Sequence, residues 1–275
     1  AVSVNPDLGV LHEFRDARLV LEAALAGRPL SSLRELGELL AAVKEPRWPG
    51  SVREALAAWP EFAQLAHAAP RRVPDAAFLD EVLTGEDVDV MRLPIQRCWP
   101  EDAGLLLTMA MVVTRGTRRE RQNVGIYRQQ VLGRNRVIMR WLPHRGGALD
   151  FADWRSAHPD RPFPVLVAIG ADPAMMLAAV APVPDTLSEF QFAGLLRGER
   201  SRVWRSDLTG LDAPAGAEIV LEGFIHRGDV ALEGPFGDHT GYYNAQGEFP
   251  VLTVARMSLR RDAIYHGRYM GRAPY

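Results

Sequence analysis

The chain has 275 residues, of which 47% are hydrophobic and 24% charged, and its formal net charge is −2. This composition is typical of a globular protein with one large domain or two modest ones. A net charge so close to zero gives no reason to expect nucleic acid or an anionic membrane as a partner of the whole protein. No apolar run reaches the ~18 residues of a membrane-spanning helix. The single cysteine, Cys98, excludes an internal disulfide and a thiolate metal cluster and favours a cytoplasmic location.

Residues 1–94 are predicted to form a partial N-terminal helical or α/β segment. Leucines recur with helical spacing on alanine-rich stretches between residues 19 and 43. Ser31-Ser32 followed by Glu35 is typical of the start of a helix. The stretch "KEPRWPGS" ends that helix, and a third helix is expected over about 52–68.

From residue 95 the sequence changes to short apolar segments separated by turn residues, which predicts strands. The expected strands lie in residues 105–115, in a hairpin with its turn at Gly133–Asn135, and in 162–170, 216–225, 249–259 and 263–270. One helix is expected among them, with Asp185 or Ser188 near its start and Gly198 at its end. We therefore predict an α+β protein whose residues 95–275 form a mainly antiparallel barrel or sandwich.

The predicted hairpin, "RQNVGIYRQQVLGRNRVIMRWLPHRGGALD" (residues 121–150), carries more cations and donors than a hairpin that only fills a core. Arg128, Arg140 and Arg145 could bind a phosphate through paired hydrogen bonds, and Gly146-Gly147 would let backbone N–H groups approach it. The alternative is a solvated charged face. No glycine-rich dinucleotide motif or Walker motif is present, so a Rossmann or P-loop nucleotide site is not supported.

Three separate residues could together hold a metal. Asn123, His144 and Glu189 would supply an amide oxygen, an imidazole and a carboxylate, which suit Mn²⁺ or Mg²⁺ better than zinc. Their long separation makes such a set undetectable by spacing. Each residue could equally be a cap or a surface group, and Glu189 could simply favour the first turn of its helix.

A third stretch, "LEGPFGDHTGYYNAQGEFP" (residues 232–250), crowds acidic groups onto a glycine-rich loop. Glu233 and Asp238 could act as a charged partner and a proton donor, because neighbouring carboxyls can have displaced pKa values. The alternative is a turn-rich loop in which Asp238 and His239 cap their own backbone.

Seven motifs occur in order along the chain: "RQNVGIYRQQ", "IMRWLPHRGGALD", "AIGADPAMM", "PVPDTLSEF", "AEIVLEG", "EGPFGDHTGYYN" and "DAIYHGRYMGR". Together they resemble the UbiD family of decarboxylases, in particular its ubiquinone-pathway branch, which acts on 4-hydroxy-3-polyprenylbenzoate. The resemblance covers about residues 30–275. Members of the family are longer, so we expect this chain to lack most of the usual N-terminal part and the C-terminal domain.

The resemblance implies that residues 95–275 form a split β-barrel that binds prenylated FMN. Mn²⁺ or Mg²⁺ would hold the flavin phosphate, with K⁺ nearby, and the metal ligands would be Asn123, His144 and Glu189. The implied cofactor contacts are Ile126, Tyr127, Arg128, Arg140, Trp141, Leu142, Arg145 and Gly146.

The same resemblance implies that Arg128, Glu233 and Asp238 are the catalytic residues. Arg128 would hold the substrate carboxylate, Glu233 would pair with Arg128, and Asp238 would protonate the carbon that loses CO₂. The implied function is non-oxidative decarboxylation of an aromatic acid, above all 4-hydroxy-3-polyprenylbenzoate in ubiquinone biosynthesis. One alternative is a non-catalytic flavin- and metal-binding fragment, or a subunit of a larger UbiD-type carboxylase or decarboxylase. Another is a conventional FMN oxidoreductase, for which no hydride-donor nucleotide motif is present.

The implied partners are an aromatic carboxylic acid, a flavin prenyltransferase that supplies the cofactor, and further copies of the chain in a homo-oligomer. A prenylated substrate would bring a cytoplasmic protein to the periphery of the membrane. Nucleic acid is not expected, because the chain lacks both a basic net charge and an aromatic stacking platform.

One geometric problem remains in the hairpin. Asn123 and Arg128 have opposite parity, so on a flat strand their side chains point to opposite faces. If both serve one site, the strand needs an irregularity. We predict a bulge or bend near Gly125.

Overall fold

A computed structural model describes Ala41 and residues 69–183, 187–238 and 240–268. The helices predicted for residues 1–68 lie outside this part of the chain, apart from Ala41, which is helical. Asp185 and His239 also lie outside the described residues.

Strands dominate the described part of the chain. In chain order they are β1 (Arg71–Arg72), β2 (Glu81–Thr84), β3 (Leu105–Leu107), β4 (Met111–Thr114), β5 (Asn123–Ile126), β6 (Gln129–Gly133), β7 (Arg136–Met139), β8 (Phe163–Ile169), β9 (Arg202–Arg205), β10 (Asp212–Pro214), β11 (Ile219–Glu233) and β12 (Gly247–Leu259). A small sheet has the order β1-β9-β10, and a nine-stranded sheet has the order β3-β6-β7-β12-β11-β8-β4-β5, with β2 paired to β12.

The large sheet is antiparallel and curls back on itself. β3 precedes β4 in the chain and β5 precedes β6, yet β3 pairs with β6 at one end of the sheet and β4 pairs with β5 at the other. The segments β3–β4 and β5–β6 therefore each contribute one strand to either end of the sheet, which brings the two ends together. The result is the curled sheet of a split barrel, and it confirms the predicted α+β fold class.

The segment 105–114 runs antiparallel to the segment 123–131, and this pair is irregular at its middle. Leu107 pairs with Gln129, whereas Met111 pairs with Ile126. Residues 108–110 therefore lie opposite Tyr127–Arg128, which is the extra residue on one strand that defines a β-bulge. This break divides the predicted strand over 105–115 into β3 and β4, and the first strand of the predicted hairpin into β5 and β6.

The irregularity predicted near Gly125 occurs two residues further along the strand. Gly125 pairs in regular register with Val112, and the strand stops only after Ile126. The interruption at Tyr127–Arg128 depends on where the partner segment leaves the sheet, which the sequence of this strand alone does not reveal.

Strand β8 shows how the core is divided. All of its residues are buried, as a continuous apolar strand covered on both faces requires. Val165, Val167 and Ile169 belong to the cluster inside the curled sheet. Leu166 and Ala168 belong to a second cluster that packs against helices on the outer face. The alternation follows the two-residue period of a strand.

Three α-helices lie among the described residues from 69 onward: α1 (Gly146–Ala157), α2 (Pro173–Ala178) and α3 (Glu189–Arg197). The helix predicted from the sequence is α3, where Ser188 forms a capping box with Gln191 and Gly198 ends the helix with φ 69°. The sequence does not predict α1 or α2. Helix α1 starts at two glycines and lacks a side-chain cap, so it has no ordinary start signal. Short 3₁₀ helices occupy Ala77–Leu79, Gly85–Asp87 and Val90–Arg92.

The predicted strand over 263–270 does not form in residues 263–268, and residues 269–270 lie outside the described part. Ala263 and Tyr265 are buried against the cluster inside the curled sheet, so this apolar segment packs against the core without strand pairing. Strand β2 joins the main sheet upstream of residue 95, and the domain division at that residue stays a prediction. None of the helices in the described residues has both the length and the apolar character needed to cross a membrane.

Candidate active site

A cavity of about 510 Å³ lies between the start of β5, helix α1 and the N-terminus of α3. Its lining includes Asn123, His144 and Glu189, the three residues that the sequence offers as metal ligands. We call this space the metal cavity. Folding brings these residues together because β5, the segment after β7 and α3 all meet at this side of the curled sheet.

Glu189 is the first residue of α3, and its side chain is buried. Its Oε2 accepts a hydrogen bond of 3.1 Å from the backbone N–H of Val124, and Nη1 of Arg121 lies 3.9 Å from the same oxygen. Burial raises the pKa of Glu189 above its ordinary value, despite these contacts. The carboxylate is therefore incompletely compensated by the protein, as suits a group that meets a cation.

Asn123 presents its amide to the same cavity. Its Nδ2 lies 3.3 Å from Oγ1 of Thr114 and 3.4 Å from the hydroxyl of Tyr127, and donates to both. A Cβ atom at Gly146 would lie 2.0 Å from Oδ1 of Asn123, so only glycine leaves room for this oxygen. His144 is exposed at the rim.

The metal cavity fits a hard divalent cation and an anion beside it. Within the described residues no three His, Cys, Asp or Glu side chains cluster as a metal site, so a metal here depends on the amide oxygen of Asn123. Helix α1 begins at Gly146 without a side-chain cap from its N-cap residue, and the positive end of its dipole favours an anion such as phosphate. Arg118, Arg119 and Arg121 also line the cavity.

A second cluster lies where the hairpin is interrupted. Glu233, at the end of β11, is fully buried. Arg128 donates to it twice, from Nε to Oε1 at 2.7 Å and from an Nη to Oε2 at 2.9 Å. Nε of Arg140 forms an ion pair with Oε2 at 3.3 Å. We call these three residues the arginine cluster.

The environment of Arg140 is unusual for a guanidinium. Burial lowers the pKa of Arg140, the charge of Arg128 lowers it further, and Glu233 and Asp238 oppose both. Arg140 also stacks over the ring of Phe249, with 5.7 Å from its guanidinium carbon to the ring centroid. Arg140 is one of the predicted cofactor contacts, but no pattern in the sequence indicates that it shares Glu233 with Arg128.

Asp238 lies just beyond Glu233 on a tight loop and is half-buried. Its backbone N–H donates to the carbonyl of Tyr242 at 3.0 Å, and its carbonyl accepts from Gly241 at 2.9 Å. The predicted turn-rich loop therefore forms, and it holds an acidic side chain close enough to influence the pKa of Arg140.

Asp102 anchors this loop, and the sequence reasoning missed it. The side chain of Asp102 is buried; Oδ1 accepts from the backbone N–H of Gly237 at 2.8 Å, and Oδ2 accepts from Trp99 at 2.8 Å. A Cβ at Gly237 would lie 1.9 Å from the Trp99 ring. The only sequence signal is an aspartate three residues after a tryptophan, which is too short to indicate a partner so distant in the chain.

The remaining predicted cofactor contacts occupy different environments. The Tyr127 hydroxyl accepts from the backbone N–H of Gly147 at 3.0 Å, and burial raises the pKa of Tyr127. Trp141 is buried in the cluster inside the curled sheet. Ile126 and Leu142 are partly exposed, and Arg145 is exposed at the start of α1.

Residues 71–273 match the model of the UbiD family, described as the 3-octaprenyl-4-hydroxybenzoate carboxy-lyase Rift-related domain. Among solved structures, an evolved dimeric form of the UbiD-class enzyme HmfF from Pelotomaculum thermopropionicum, in complex with prFMN, is 30% identical with a TM-score of 0.69; the match covers 76% of this chain and 49% of that one. HmfF in complex with FMN is also 30% identical, with a TM-score of 0.68 over 80% of this chain and 52% of that one.

Vanillic acid decarboxylase from Sedimentibacter hydroxybenzoicus is 27% identical, with a TM-score of 0.70 over 81% of this chain and 48% of that one. The chain thus spans about half the length of the solved relatives that it matches.

Proposed function

Because the chain belongs to the UbiD family, we propose that it carries out the prenylated-FMN-dependent, metal-assisted decarboxylation of an aromatic carboxylic acid. One observation carries this proposal. The metal cavity and the arginine cluster flank the same interrupted segment, with Asn123 before the break and Arg128 within it. A metal-held phosphate and a carboxylate-binding arginine are thereby served by one short stretch of chain.

In this proposal Asn123, His144 and Glu189 hold Mn²⁺ or Mg²⁺, and the N-terminus of α1 faces the flavin phosphate. The amide, imidazole and carboxylate are suitable ligands for either ion, and the incompletely compensated charge of Glu189 gains a partner. We also propose that K⁺ binds near the same phosphate. Bound prenylated FMN would supply the electron sink that an aryl carbanion needs.

The residues of the chain itself would bind, orient and protonate the substrate. Arg128 binds the substrate carboxylate, since a guanidinium matches a carboxylate with two hydrogen bonds. Glu233 positions Arg128 through its own paired hydrogen bonds. When the bond between the ring carbon and the carboxyl carbon breaks and CO₂ leaves, Asp238 donates a proton to the ring carbon, and its carboxylate then takes a proton from water.

We propose 4-hydroxy-3-polyprenylbenzoate as the substrate and ubiquinone biosynthesis as the setting. Such a substrate would bring a cytoplasmic protein to the membrane periphery, with a flavin prenyltransferase as cofactor supplier and a homo-oligomer as the working form. A second candidate is a flavin- and metal-binding subunit of a larger UbiD-type enzyme, for which the metal cavity alone would suffice.

The test is co-expression with a flavin prenyltransferase, in buffer containing Mn²⁺ and K⁺. We expect the purified protein to carry prenylated FMN, seen in its visible spectrum and in the mass of the released cofactor, and to release CO₂ from a prenylated 4-hydroxybenzoate. Bound cofactor without CO₂ release from any aromatic acid would favour the subunit. A folded protein that retains neither cofactor nor Mn²⁺ would contradict both candidates.

A further inference from the structure

We propose that Thr114 and Asp150 position Asn123 so that its amide oxygen, and not its nitrogen, faces the metal. This inference rests on the proposed function, because it concerns the metal that Asn123 would ligate. Neither Thr114 nor Asp150 is among the residues that the family resemblance assigns to the site. Both reach Asn123 through hydrogen bonds within the described residues.

The first step is the pairing of two strands. Thr114 on β4 lies directly opposite Asn123 on β5 in the antiparallel register, and side chains in such a pair lie about 5 Å apart on the same face. Thr114 is fully buried. Its hydroxyl is therefore fixed beside the Asn123 amide by backbone pairing, with no solvent to offer other partners.

The second step concerns the single hydroxyl proton of Thr114. Thr114 donates it to Oδ2 of Asp150 at 2.7 Å. This is the shorter of the two contacts of the Thr114 hydroxyl, since the amide nitrogen of Asn123 lies 3.3 Å away. The Thr114 proton is therefore used in the bond to Asp150.

The third step follows for Asn123. The Thr114 oxygen, with its proton already used, can only accept, so the amide atom of Asn123 that lies 3.3 Å away must be the NH₂ nitrogen. The Tyr127 hydroxyl accepts a second hydrogen bond from the same nitrogen, at 3.4 Å. The carbonyl oxygen is thereby turned towards the space that Gly146 leaves free.

Asp150 connects this chain of bonds to the rest of the metal cavity. It lies on α1, which also supplies Gly146, so the helix that would face the phosphate also orients the amide. Partners of metal ligands commonly act in this way, and replacing them weakens metal affinity by about 10- to 100-fold.

The experiment compares Thr114→Val with Thr114→Ser, and uses Thr209→Val as a matched control for loss of a buried hydroxyl elsewhere. Mn²⁺ affinity is measured from the electron paramagnetic resonance signal of free Mn²⁺, with FMN present as the anion probe, alongside the melting temperature. We expect Thr114→Val to weaken Mn²⁺ binding about 10- to 100-fold, and Thr114→Ser and Thr209→Val to bind Mn²⁺ as the unmodified chain does.

A double variant tests whether Asp150 acts through Thr114. If it does, Thr114→Val combined with Asp150→Asn weakens Mn²⁺ binding less than the sum of the two single effects. Fully additive effects would limit Asp150 to long-range electrostatics and overturn its part of the inference. Unchanged affinity in Thr114→Val, beside clear loss in Asn123→Ala, overturns the inference alone. If the unmodified chain and Asn123→Ala bind Mn²⁺ equally, the proposed metal site itself is wrong.

Discussion

Glu189 and Glu233 are both buried carboxylates beside the same interrupted hairpin, but their surroundings differ. Glu233 receives two hydrogen bonds from Arg128 and lies 3.3 Å from Arg140. Glu189 receives hydrogen bonds from the backbone N–H groups of Val124 and of Glu189 itself, and Nη1 of Arg121 lies 3.9 Å away. Arg128 therefore neutralises Glu233 at hydrogen-bond distance, whereas Arg121 approaches Glu189 only to 3.9 Å.

This difference indicates two different tasks. A buried carboxylate with well-formed guanidinium bonds is suited to holding those guanidinium groups in place. A buried carboxylate whose pKa is raised by burial is suited to gaining a cation from outside the chain. Glu233 would thus organise the substrate side, and Glu189 the metal side, of one proposed active site.

Asp238→Asn is expected to have the largest effect, because it removes the proposed proton donor from the substrate side only. Turnover should fall by about 10²- to 10⁴-fold, while Mn²⁺ and cofactor stay bound. CO₂ release and the cofactor spectrum measure the two sides separately. Asp229→Asn on β11 is the control, since Asp229 forms an ion pair with Arg136 away from the arginine cluster. Near-normal turnover in Asp238→Asn would remove it from the mechanism.

Glu233→Gln should destabilise the protein by about 3 kcal/mol, since it leaves two partly buried guanidinium groups short of their counter-charge. Urea unfolding measures this loss. Glu222→Gln is a close control, because Glu222 is also fully buried on β11 and bonds Arg256 through Nε at 2.6 Å. Both variants should lose similar stability, but only Glu233→Gln should also impair turnover per folded molecule. Equal turnover in the two would contradict a positioning role for Glu233.

Glu189→Gln should show the opposite balance. Removing this buried charge should leave the metal-free protein at least as stable as the unmodified chain. Mn²⁺ affinity should fall by about 100-fold, which is the upper end of the losses caused by replacing residues that hydrogen-bond to a metal ligand. Thermal unfolding with and without Mn²⁺ separates the two effects. A stability loss as large as that of Glu233→Gln would erase the distinction between the two carboxylates.

Gly146→Ala is the smallest change, because it adds one methyl group on the metal side of the proposed active site and leaves the substrate side unchanged. Its Cβ would lie 2.0 Å from Oδ1 of Asn123, so the amide must move, and we expect Mn²⁺ affinity to fall about 10-fold. Gly133→Ala is the control, because a Cβ there meets nothing within 4 Å. The arginine cluster should be unaffected in both. Tight Mn²⁺ binding by Gly146→Ala would argue against Asn123 as a ligand.

The sequence by itself determined the elements whose signals are local. The continuous apolar stretch of β8 and the start and end of α3 are visible in neighbouring residues, since burial on both faces and helix capping depend on few positions. Long motifs likewise identified the family, and the matched residues 71–273 confirm it.

Tertiary structure alone decided which groups meet and how they are compensated. The register of β3 and β4 sets the break at Tyr127–Arg128. The approach of β11 lets two arginines share Glu233. The partner residue across the sheet sets the orientation of Asn123. Helix α1 has no start signal and depends on contacts beyond its own segment. Pairing, burial and charge balance are properties of residues distant in the chain, so local patterns do not contain them.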